Sequence, residues 1–140
     1  MHCKVTLDTN ILISGFLFDG ICKDILNLGI TGKIQVFTSK PIIDEFRTIL
    51  ETKIKKEYHI NTTVIEDAVA IYLNFSGIVM VSDKPRKNYT PNNGDNFVID
   101  TALISDSTYL VTGDHKHILG KVKMPQLEIM SPADFMKTMK

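Results

Sequence analysis

The chain has 140 residues, 44% of them hydrophobic, which suits one soluble domain with a substantial core. Lys plus Arg and Asp plus Glu number 16 each, and this zero balance argues against a nonspecific DNA coat, which needs a basic excess. No apolar stretch approaches the roughly 18 residues of a membrane span. The opening Met1-His2-Cys3-Lys4 has no long apolar leader region, so a cytoplasmic protein without membrane contact is expected.

Cys3 to Leu7 reads as a short buried strand that stops at Asp8. Thr9 to Leu17 is expected to turn into a brief helix, with Gly20 as the break. Ile21, Ile25, Leu26 and Leu28 recur at helical spacing until Gly29 and Gly32. Ile34 to Thr38 is a second strand. Ser39 as N-cap and Pro41 in the first turn start a helix carrying Ile42, Ile43, Phe46, Ile49 and Leu50, expected to reach about Glu57. Thr62 or Thr63 is placed to cap the next helix, which stops near Gly77. Ile78 to Val81 is a third strand, and the breaker-rich Ser82 to Gly94 is a long loop. Asp95 is expected to cap a helix with Phe97, Val98, Ala102, Leu103 and Ile104 on its apolar face. Thr108 to Val111 is a fourth strand, His117 to Leu119 a short turn or helix, and Leu127 to Met130 a late strand. Ser131-Pro132 opens a closing helix through Met139. Alternating strands and helices imply a parallel sheet covered on both faces. Cys3 and Cys22 form neither a disulfide framework nor a zinc cluster and read as small buried hydrophobes.

Four acids stand out: Asp8, Glu45, Asp95 and Asp114. Asp8 ends the first apolar run, and Asp114 closes Tyr109-Leu110-Val111-Thr112-Gly113-Asp114. The carboxyl ends of strands are where open α/β sheets place their active sites. Acids gathered there repel one another unless cations lie between them. Three of them have a plainer reading when taken alone, while Asp8, with apolar flanks on both sides, is the hardest to dismiss. Asp95 could be only an N-cap, Asp114 only a turn acid, and Glu45 only a solvent-facing helix residue. Against the last, the spacing from Ile42 and Ile49 puts Glu45 near the buried face, a costly place for an unpaired charge.

Val5-Thr6-Leu7-Asp8-Thr9-Asn10-Ile11-Leu12-Ile13-Ser14-Gly15 resembles the opening of a PIN-domain protein. Pro41-Ile42-Ile43-Asp44-Glu45-Phe46 is similar to the helix that carries that family's second acid. Asp95-Asn96-Phe97-Val98-Ile99-Asp100-Thr101-Ala102 and Val111-Thr112-Gly113-Asp114 with His117-Ile118-Leu119 look like its third and fourth motifs. The resemblance spans nearly the whole chain, and it is strongest to the branch of toxin components of toxin–antitoxin systems. It implies that residues 1–140 form a single PIN-like nuclease domain, a three-layer α/β/α sandwich with a mostly parallel central sheet. It implies a metal-dependent endoribonuclease, with one or two Mg2+ or Mn2+ ions held by Asp8, Glu45, Asp95 and Asp114. It implies an RNA substrate, an antitoxin partner and a homodimer. Asp100 corresponds to a semi-conserved family acid and is read as an auxiliary. The family often has one more acid before the third motif, where this chain has Asn92 and Asn93.

Thr9, Asn10, Asn96 and Thr112 are the supporting polar residues. Thr9 can bond a carboxylate or a metal-bound water, and Asn10 is expected to tie down the turn. Asn96 is expected to support the helix start. Thr112 stands where the family has a hydroxyl, or is an ordinary β-branched strand residue. His115 and His117 are too close together for a known zinc spacing and read as turn residues, with His117 within reach of a phosphate. Lys84, Arg86 and Lys87 can hold phosphates from the long loop, and Tyr89 can stack on an unpaired base. The other reading of these four is a solvated loop. Phe16, Leu17 and Phe18 are a candidate apolar patch for internal packing, protomer pairing or an antitoxin.

Two alternatives stay open beside the toxin: a PIN-fold nuclease of housekeeping RNA processing, and a non-catalytic PIN-fold regulatory or binding protein. An aspartyl-phosphate enzyme is disfavoured, because Asp8-Thr9-Asn10 lacks the second acid of that chemistry. No glycine-rich nucleotide-binding signature occurs.

Overall fold

Val5, Thr6 and Leu7 have no solvent exposure at all, as expected of a central strand in a sheet with both faces covered. The computed structural model describes residues 3–140. Its strands are β1 (Lys4–Leu7), β2 (Gln35–Thr38), β3 (Ser76–Ile78), β4 (Tyr109–Val111) and β5 (Glu128–Met130). They form one parallel sheet in the order β3-β2-β1-β4-β5. The helices are α1 (Thr9–Leu17), α2 (Ile21–Ile30), α3 (Lys40–Ile49), α4 (Lys55–Tyr58), α5 (Thr62–Phe75), α6 (Asn93–Ile104) and α7 (Pro132–Met139). Sheet and helices make the expected three-layer α/β/α sandwich.

The strand order locates a crevice. From β1 the chain builds outward through β2 and β3, then returns to lay β4 and β5 on the other side of β1. The order reverses between β1 and β4, and open α/β sheets bind ligands beyond the carboxyl ends of strands at such a reversal. In register, Leu7 lies opposite Val111, and the Asp8 N–H donates to the Val111 carbonyl at 3.0 Å. The residues that follow β1 and β4 are therefore neighbours.

The helices behind the crevice are packed tightly. Phe46 of α3 is fully buried, with its ring 5.5 Å from Phe16 and 5.6 Å from Tyr72. Gly15 allows α1 and α2 to approach: a Cβ there would stand 2.5 Å from Leu26 Cδ1 and 2.9 Å from the Cys22 carbonyl oxygen. Of the expected apolar patch, Phe16 and Leu17 pack against the core. Phe18 is 48% exposed and meets Tyr58 edge-on.

Several sequence boundaries shift. The third strand begins at Ser76 rather than Ile78, because Ser76 pairs with Val36 and the short β2 runs out at Thr38 opposite Ile78. The helix from Lys40 passes through a π-helical turn at Leu50–Ile54 and ends after Tyr58, where His59 takes a left-handed φ of 52°. The cap of α5 is Asn61, whose side chain accepts from the Val64 N–H. Asn92, not Asp95, caps α6, accepting from the Asp95 N–H at 3.1 Å. Ser39 stands at the N-cap of α3 as expected, but its side chain makes no capping bond; its hydroxyl pairs with that of Thr101 instead. His117 to Leu119 is a turn, not a helix.

Candidate metal centre

Asp8 is 4% exposed and sits where β1 passes into α1. Its Oδ1 accepts the Thr9 N–H at 2.7 Å, and its Oδ2 accepts the Thr112 hydroxyl at 2.7 Å. The same Thr112 oxygen accepts the Asp114 N–H at 3.0 Å. One buried hydroxyl at the end of β4 thus fixes the first acid and the backbone of the last. Asp114 Oδ1 in turn accepts the N–H groups of Lys116 and His117 at 3.0 and 2.9 Å. This tight turn brings the His117 ring beside the carboxyl of Asp114. His117 Nδ1 lies 3.5 Å from Asp114 Oδ2 and 3.5 Å from Asp95 Oδ2.

Asp95 arrives from α6, with its N–H taken by Asn92 and its carboxyl beside that of Asp114. Donor atoms of Asp95, Asp114 and His117 all lie within 4.8 Å of one another. Burial pushes the Asp95 carboxyl up to about 7, with the negative charges of Asp8 and Asp114 adding to the rise and His117 opposing it. Asp8 is raised as well, first by burial and then by Asp114, against its bonds from Thr112 and Thr9. Burial also raises Asp114, but the N–H groups of His117 and Lys116 outweigh it and hold that carboxyl below its ordinary value. Asp95 Oδ2 is buried and lacks a hydrogen-bond partner among the described residues.

These observations test whether a divalent cation suits the site. Two carboxylates and an imidazole converge, one carboxyl oxygen is orphaned, and the charges of Asp8 and Asp114 raise the pKa of Asp95. A cation relieves both the repulsion and the unmet oxygen. The donor set fits a divalent ion bound by Asp95, Asp114 and His117, with Asp8 alongside.

A sequence model of the PIN domain matches residues 4–116. The chain belongs to the PIN-domain family. Its fold is similar to a chain of VapBC2 from Rickettsia felis, solved bound to a DNA fragment from their promoter. The TM-score is 0.63 at 18% identity, over 91% of this chain and 98% of that one. No curated protein sequence matches it significantly.

The remaining candidate residues of this PIN domain divide into those at the acids and those beside them. Glu45 stands outside the three-donor group. The residue is exposed, yet its carboxyl end is tucked against α6, where a Cβ on Gly94 would lie 2.9 Å from Glu45 Oε2. Burial raises its pKa, the nearby Thr9 hydroxyl opposes the rise, and the Asp8 charge adds to it. Thr9 is 1% exposed, and its hydroxyl has no well-formed hydrogen bond among the described residues. Asn10 is exposed and makes no side-chain hydrogen bond among the described residues, because Asp8 already caps α1 in its place.

Asp100 is fully buried and does not join the metal group. It accepts the Arg86 N–H at 2.7 Å and the Tyr89 hydroxyl at 3.0 Å. Asn96, one helical turn earlier on the same face of α6, accepts the Thr90 N–H at 2.8 Å and donates to the Thr90 carbonyl at 3.0 Å. Asn96 and Asp100 together moor the long loop to the helix that carries Asp95. Lys84, Arg86 and Lys87 lie exposed on that loop. Tyr89 is half-buried against the core with its hydroxyl engaged, so its ring is less open to a base than the sequence suggested.

His117 joins the candidate donor group, although its spacing from His115 fits no zinc pattern. The spacing that brings it to the acids is Asp114 to His117, three residues apart, which lets one carboxylate oxygen close the turn while the other meets the ring.

Proposed function

We propose that this PIN domain is a ribonuclease that hydrolyses phosphodiester bonds with Mg2+ or Mn2+ and serves as the toxin of a toxin–antitoxin pair. The convergence of Asp8, Asp95 and Asp114 at the reversal between β1 and β4 carries the nuclease reading. The likeness to the VapBC2 chain supports the toxin reading. An antitoxin protein and a second copy of the chain are the proposed protein partners.

Asp95 and Asp114 would hold the cation, with Asp8 completing the negative wall. When bound, the ion supplies a Lewis acid for the phosphate and lowers the pKa of a water. Thr112 and the Thr9 N–H keep Asp8 from turning away. Glu45, outside the donor group but near Thr9 and Asp8, is placed to accept a hydrogen bond from the attacking water and to take its proton. Lys84, Arg86 and Lys87 position the RNA backbone without reading sequence. A water attacking phosphorus would form the new P–O bond as the bond to the 3′ oxygen breaks, and that oxygen would take its proton from solvent water.

A set of single-stranded RNAs incubated with the purified chain tests the proposal. Cleavage is expected with Mn2+ and to stop when a chelator is added. Equal cleavage in the chelator, or none with either cation across varied RNAs, contradicts it.

A further inference from the structure

We infer that the His117 imidazole enters the ligand set and shifts the site's preference from Mg2+ toward Mn2+, Co2+ and Zn2+. The inference rests on the metal-dependent reading above and names the cation class that this chain's own residues select. Its ground is the position of one nitrogen. His117 Nδ1 is equidistant, at 3.5 Å, from Asp95 Oδ2 and Asp114 Oδ2. That is too long for a good N–H···O bond, which spans about 2.7–3.2 Å. The ring is therefore not clipped to either carboxylate; its nitrogen lies equally near both.

The turn holds it there. The His117 N–H donates to Asp114 Oδ1 at 2.9 Å, and the next residue, Ile118, is fully buried and donates its own N–H to the Asp114 carbonyl. Asp114 Oδ1 is consumed by backbone, so Oδ2 alone faces the ring. The Asp8 oxygens each already accept a hydrogen bond. Two oxygens and one nitrogen are thus the donors that the fold leaves most free.

That mixture discriminates between cations. Mg2+ is hard, keeps several waters and takes oxygen ligands. Imidazole suits the later first-row metals, whose affinity for nitrogen sites rises from Mn2+ through Co2+. A neutral ring in place of another carboxylate also withholds the charge that Mg2+ most needs. His115, exposed and absent from the donor group, has no such part.

The test is pulsed electron paramagnetic resonance of the full chain loaded with Mn2+ and grown with isotope-labelled histidine. It is joined to titrations of Mg2+ and Co2+ into wild type, His117→Gln and His115→Gln. Direct histidine-nitrogen coupling is expected in wild type and His115→Gln and is lost in His117→Gln. The preference for Co2+ over Mg2+ is expected to fall at least about tenfold in His117→Gln, the lower bound for disturbing even an outer ligand shell. Mn2+ bound to wild type without nitrogen coupling overturns the inference and leaves the nuclease reading standing. An unchanged Co2+ to Mg2+ ratio in His117→Gln does the same. No Mn2+ binding by wild type overturns both. The coupling is read on wild type, so it does not depend on how any variant folds.

Discussion

Asp95→Asn is expected to lose cation-dependent cleavage by on the order of 100-fold or more, while the cation-free fold becomes more stable at neutral pH. The loss follows from removing a charged donor from a small group, where even outer-shell changes cost about 10- to 100-fold. The gain follows from the repulsion already present. Burial and the charges of Asp8 and Asp114 lift the Asp95 carboxyl to about 7, well above the roughly 3.9 of an unfolded Asp. The folded state therefore holds this proton more tightly than the unfolded chain. Its contribution to stability is fully present below about pH 4 and is lost as pH rises through about 7. Asp8 and Glu45, both raised, act with the same sign. Asp114, lowered, acts with the opposite sign at acid pH. Chemical denaturation of wild type and variant in a chelator across this range checks the expectation. A variant less stable than wild type at neutral pH would show that Asp95 is not strained by its neighbours.

Cation affinity is expected to fall about tenfold for each pH unit below about 7, because the ion must displace the Asp95 proton. Binding also cancels the stability trend just described. Without the ion, rising pH between about 4 and 7 weakens the fold; with the ion saturating, the gain in affinity offsets that loss, because neither the folded complex nor the unfolded chain then holds the Asp95 proton. The two slopes cancel only if one group faces both the proton and the metal. Calorimetric titration of Mn2+ at several pH values on either side of neutrality, with the released protons counted from buffer ionisation heats, measures this directly. An affinity flat across the range would remove Asp95 from the ligand set.

Much of this was legible in the sequence where the signal is local. The apolar run Val5-Thr6-Leu7 ending in Asp8, the stripe around Phe46, and the strand into Thr112-Gly113-Asp114 each carry their own periodicity, and each lies where it was expected. What escaped depends on partners distant in the chain or on which of two nearby groups does a job. Asp95 and Asn92 both fit a cap, and only the fold shows that Asn92 accepts the bond and frees the acid. Asp100 reads as an auxiliary to the acids, and only the fold shows what it supports: it faces the loop, where Arg86 and Tyr89 occupy it. Its angle from Asp95 explains this: five residues turn a helix by about 140° past a full turn, onto a different face. The third strand slipped because apolar Val79 to Val81 outlasts the four-residue neighbour available to pair with it.

The most direct measurement is anomalous diffraction from a crystal of the chain grown with Mn2+. Strong density is expected between the carboxylates of Asp95 and Asp114 and the ring of His117, with Asp8 at its edge and Thr112 still bonded to Asp8. Mn2+ found elsewhere, or these side chains turned apart around an empty crevice, would contradict a single metal-holding pocket at the ends of β1 and β4.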